Sequence, residues 1–65
     1  MSNEYKDWIV DRGSEIALDE GWIDAIYNAS YKNDEAIIHG CKDNESITIR
    51  VWFSEEGEIW TYAII

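Results

Sequence analysis

The chain is predicted to be α+β: N-terminal helical segments packed on one face of a three-stranded antiparallel meander. Three observations carry that prediction. Apolar residues recur at helical spacing through the first half of the chain. From Ala36 onward, β-branched and aromatic residues form three runs. The runs are separated by KDNE and EEG, short enough for hairpins. With 65 residues, residues 1–65 read as a single small acidic domain.

The first element is a helix over 3–12. Ser2 or Asn3 can cap it, and Glu4 sits in the first turn. Tyr5, Trp8 and Ile9 share a face, Arg12 lies in the last turn, and Gly13 suits a left-handed stop. A second helix is expected over about 20–31. Asp19 would cap it, with Glu20 and Asp24 in its first half. Trp22, Ile23, Ile26 and Tyr27 would form its apolar face, and Lys32 and Asn33 its end. Ser14 can cap an extra turn at 15–18, which would make the two helices nearly continuous. A competing reading takes Ile23, Ala25, Tyr27, Ala29 and Tyr31 as the alternating positions of a strand. The fold is then one helix plus a four-stranded meander.

AIIHGC, SITIRVWFS and EIWTYAII supply the remaining strands, paired in order. For the last hairpin, SEEGE fits a three-residue loop with Gly57 left-handed. Ser54 would then oppose Glu58, placing Phe53, Val51, Ile49 and Ile47 opposite Ile59, Thr61, Ala63 and Ile65. The other face would pair Trp52 with Trp60, Arg50 with Tyr62 and Thr48 with Ile64. A two-residue Glu56-Gly57 turn slips the register by one and moves Trp60, Tyr62 and Ile64 to the Phe53 face. In the first register Arg50, Trp52, Trp60, Tyr62 and Ile64 make a partner-binding patch of the residue types enriched at hot spots. The competing account is a cross-strand Trp pair that only stabilises the hairpin. In either register the last strand is apolar, free of Lys and at the sheet edge, open to strand addition by a partner or a second copy.

Charge narrows the partners. The formal net charge is −9, with five Lys and Arg against fourteen Asp and Glu. Direct nucleic-acid binding and attachment to an anionic membrane both need clustered cations, so neither is expected. A charged partner should be a basic protein. Glu4, Asp7, Asp11, Glu15 and Asp19 recur every three or four residues, and on one unbroken helix they form a stripe. That stripe is either a solvated face or a mimic of nucleic-acid phosphates, and a break at Gly13 would end it.

The N-terminal MSNEYKDW has no basic start followed by an apolar run, no stretch spans a bilayer, and a lone Cys41 cannot form an internal disulfide. A cytoplasmic location is the expectation. His39 and Cys41 would share a strand face with Ile37 as half-buried structural residues. Asp43-Asn44-Glu45 lacks the ligand spacing of a calcium loop, and no adjacent carboxylate pair sits in an evident pocket. No catalytic residue, metal or cofactor is therefore assigned, and an enzyme is not expected.

The reading that follows is a small protein-interaction module, an inhibitor or modulator of a larger target. Phages and mobile elements often encode chains of this size and charge, an association rather than a property of these residues. One alternative is a DNA-mimic inhibitor of a nucleic-acid-binding protein. The other is an accessory subunit with no inhibitory role.

Overall fold

The computed structural model describes residues 2–65, with side chains from Glu4 onward. Its elements are α1 (Ser2–Asp19), β1 (Ala25–Lys32), β2 (Glu35–Lys42), β3 (Glu45–Ser54) and β4 (Ile59–Ile64). The strands form one antiparallel sheet in the order β1-β2-β3-β4, and α1 lies across β1, β2 and β3 on one face. One helix on a four-stranded meander is thus the fold, and the three-stranded reading gives way to its alternative.

Helix α1 does not stop at Gly13. It runs on to Asp19 and absorbs the extra turn expected at 15–18. Ile9, Gly13 and Ala17, four residues apart, are its buried positions, so they stack on one face. Gly13 is there for contact distance. A Cβ at that position would stand 3.3 Å from both Trp60 Cζ3 and Val51 Cγ1. The stop is Gly21, whose φ of 76° is left-handed. Its N–H donates to the Leu18 carbonyl at 3.2 Å, and the Trp22 N–H donates to that of Ala17 at 2.9 Å. This pair of bonds is the Schellman arrangement, which satisfies carbonyls the helix would leave open. The capping expected of Ser2 or Asn3 rests on side chains that lie outside those described.

The helix expected over 20–31 is therefore absent. Gly21 turns the chain, Ile23 enters the core, and β1 begins at Ala25. Two tight turns that mirror each other in sequence join the first three strands. Asn33 and Asp34 have φ of 51° and 65°, and Asp43 and Asn44 have 53° and 68°. Positive φ at both central residues is the type I′ turn, which matches strand twist and which Asn and Asp tolerate best after Gly. The resemblance of Lys32-Asn33-Asp34-Glu35 to Lys42-Asp43-Asn44-Glu45 was the sequence signal for the extra hairpin.

A bulge at Tyr27 breaks the alternation of β1. Ile26 pairs with Gly40 and Asn28 with His39, leaving Tyr27 unpaired and exposed. Of the expected odd-numbered set, Ile23, Ala29 and Tyr31 do pack in or on the core, while the bulge exposes Tyr27 and brings Ile26 inward. Gly40 is what permits the bulge, because a Cβ there would lie 1.9 Å from the Ala25 carbonyl oxygen.

The β3–β4 register differs from the preferred reading by one residue. Ser54 pairs with Ile59, Phe53 with Trp60, Trp52 with Thr61, Val51 with Tyr62, Arg50 with Ala63 and Ile49 with Ile64. The loop is Glu55 to Glu58, and its left-handed residue is Glu58, with φ 50°, instead of Gly57. Trp52 therefore does not face Trp60, Arg50 does not face Tyr62, and Thr48 does not face Ile64. The deciding term is burial: this register puts Trp60 on the helix side, against a core of Ile9, Ala17, Ile23, Ala36, Ile38, Ile49 and Val51.

Candidate functional site

The structure divides the expected five-residue patch between the two faces of the sheet. Trp60 sits among Trp8 and Phe53, with ring centroids 5.3 and 5.2 Å away, and Trp8 meets Phe53 edge-on at 5.5 Å. These aromatics fill the space between α1 and the β3–β4 end of the sheet, and that is a packing role. Tyr62 stacks on Trp22 at 4.5 Å and 23° between planes. Tyr62 and Ile64 lie on the same side as Trp60, opposite Val51 and Ile49. Arg50 and Trp52 belong to the uncovered face. There the Arg50 guanidinium lies 5.4 Å from the Trp52 ring centroid and its Nε 3.6 Å from Glu35.

What does come together is the edge of the sheet. β1 and β4 are its outer strands. β1 is protected by its bulge, by Lys32 and by exposed Asn28 and Ser30, devices that discourage pairing. β4 has none of these. Ile59, Tyr62, Ile64 and Ile65 are 57, 38, 67 and 66% exposed, and its outward backbone row has no neighbouring strand. Beside the start of β4, a cleft of about 330 Å3 is lined by Ile16, Glu20, Trp22, Glu58, Ile59 and Trp60. Glu20, Trp22, Glu58 and Ile59 were not among the expected site residues. The signal for the first two was Gly21, which ends the helix and turns Trp22 back over the sheet.

The acidic stripe is intact. Glu4, Asp7, Asp11, Glu15 and Asp19 all lie on the single helix α1 and all are exposed. At 1.5 Å per residue they extend over about 22 Å. Arg12 pairs with Glu15 and locally offsets the charge. Lys6 is drawn to the Tyr31 ring, 5.5 Å from its centroid, and Lys42 to Asp24 at 3.6 Å.

The remaining polar chemistry is spread over the uncovered face, the covered face and the turns. His39 is exposed, not half-buried as expected, and its Nδ1 lies 2.9 Å from Thr48 Oγ1. The neighbouring Cys41 side chain raises the pKa of the bulged Tyr27 phenol. Tyr31 donates to Asp34 Oδ1 at 2.6 Å, a bond that also raises the phenol's pKa. Asp24 Oδ2 accepts the Asp43 N–H at 2.8 Å, which with Lys42 nearby holds its carboxyl below the usual 3.8. Each of these groups is used by a local contact across a turn or between strands. Among the described residues, no cluster of three His, Cys, Asp or Glu is placed to hold a metal ion, and no helix is long and apolar enough to cross a membrane.

No family model, curated protein or solved structure matches this chain.

Proposed function

We propose that the protein is a small acidic interaction module that inhibits or modulates a larger protein target by accepting one of its extended segments along β4. The observation that carries this reading is the unprotected edge: an uncharged strand, apolar and exposed, with a free backbone row. Strand addition takes its affinity from main-chain hydrogen bonds and its selectivity from alternate side chains. Charge near the edge favours a basic target, since Glu55, Glu56 and Glu58 precede β4. A second copy would bring the same carboxylates and another nine negative charges, so a homodimer is the weaker occupant.

A second reading has its own support. The unbroken α1 keeps five exposed carboxylates in one stripe, the arrangement that mimicry of nucleic-acid phosphates requires. The two readings differ in which substitutions matter. The immobilised chain is exposed to a bacterial lysate and eluted with duplex DNA, then high salt, then mild denaturant. On the edge reading, retention of a target resists DNA, is lost in Ile64→Lys, and survives Asp7→Asn/Asp11→Asn/Glu15→Gln. The opposite pattern overturns it in favour of mimicry, and a doubled mass by light scattering with no target retained would favour self-association.

A further inference from the structure

We infer that the cleft at the head of β4 is a receptor for one cationic side chain, an arginine or lysine, of the segment that pairs with the strand. This inference rests on the edge-binding reading and specifies its selectivity. The cleft's lining combines apolar and acidic side chains. Ile16, Trp22, Ile59 and Trp60 supply two indoles and two aliphatic side chains, and the two acidic residues of the lining come from separate segments, Glu20 just past the end of α1 and Glu58 from the β3–β4 loop. Such a lining matches the two parts of a long basic side chain. Its methylene stem packs on apolar surface while its charged head stays near water and anions, and an indole face attracts a guanidinium or ammonium. An apolar side chain would leave both carboxylates without a counter-charge, and an acidic one would be repelled.

Position strengthens the assignment. Among the described residues, neither Glu20 nor Glu58 takes part in an ion pair or a side-chain hydrogen bond. A comparable cleft near Tyr5, Trp52 and Phe53 differs on this point. Its Asp34 accepts from Tyr31 and its Glu35 pairs with Arg50, so two of its three carboxylates are engaged and Glu55 alone is not, against two unengaged carboxylates in the cleft at β4. The cleft at β4 also borders the one sheet edge that lacks protection, so a strand laid there would present its side chains to it.

The test uses capped heptapeptides of alternating Thr and Val with one arginine at successive positions, each matched by a citrulline version that keeps the shape and removes the charge. Binding to the full chain is followed by NMR at the backbone amides of 59–64 and the indole N–H groups of Trp22 and Trp60. At one position the arginine peptide should bind about tenfold more tightly than its citrulline match and shift both indoles. Glu20→Gln/Glu58→Gln should erase that difference. If every pair binds equally while the 59–64 amides still shift, the cation receptor is overturned and the edge reading stands. An arginine preference removed by Asp7→Asn/Asp11→Asn, and not by the cleft variant, places the cation on the helix and also overturns the proposal. Shifts at neither set of signals reject both the receptor and the edge.

Discussion

Two single residues, Gly40 and Glu58, carry backbone demands, and a third, Asp24, carries a pH response through its carboxylate. At Gly40 any Cβ collides with the Ala25 carbonyl and with Ile23, and backbone cannot move aside as a flexible side chain can. Gly40→Ala should therefore cost about 3 kcal/mol or more, the upper range for overpacking, read as a lowered urea midpoint. Glu58 occupies left-handed space that a non-glycine residue enters at a cost. Glu58→Gly should raise stability by about 1 kcal/mol in the same assay. Asp24 gives a pH signature. Its folded pKa lies below the usual 3.8 because the carboxylate accepts the Asp43 N–H. Its contribution is then complete above that value and is lost as pH falls through the folded pKa. Asp24→Asn should flatten the acid side of the stability–pH curve below about pH 4 and leave the slope near neutrality unchanged.

The elements turn on how closely helix and sheet approach. Gly13 costs α1 about 1 kcal/mol of propensity relative to Ala, and close approach to Trp60 and Val51 is what that glycine allows. Gly13→Leu should force α1 off the sheet, costing more than about 3 kcal/mol. Loss of the Trp60 contact would appear as red-shifted tryptophan emission. Much of this level was legible in the chain. The runs AIIHGC, SITIRVWFS and EIWTYAII are strands, and the alternating pattern at Ala25 to Tyr31 was visible as the competing reading. Two features misled. Trp22, Ile23, Ile26 and Tyr27 satisfy helical spacing as well, because a bulge at Tyr27 shifts the strand's alternation by one. Gly13 has the composition of a stop, while its burial depends on residues far along the chain.

Charge and edge are properties of the molecule as a whole. A net −9 on so short a chain, with five carboxylates along one helix, makes the folded state work against its own repulsion. The urea midpoint should therefore rise between roughly 10 mM and 0.5 M NaCl as screening shortens the Debye length. A flat response would show that the pairs Arg12–Glu15, Lys42–Asp24 and Arg50–Glu35 already offset it. The candidate site was only half legible on this scale. That β4 would be an apolar edge followed from its composition and its place last in a meander. The five-residue patch did not survive, because Arg50 and Trp52 fall on one face and Trp60, Tyr62 and Ile64 on the other.

By itself, the sequence determined the class of fold, the identity of the last three strands, the acidity of the surface and the exposed edge. Those features depend on composition and local period, which a chain carries wherever it goes. Only the tertiary structure decided the β3–β4 register, the passage of α1 through Gly13, the fate of Trp60 and the cleft shared by Glu20 and Glu58. Each of these depends on distant contacts. A one-residue slip leaves every local preference nearly unchanged, yet it decides whether an indole is packed under a helix or left in water.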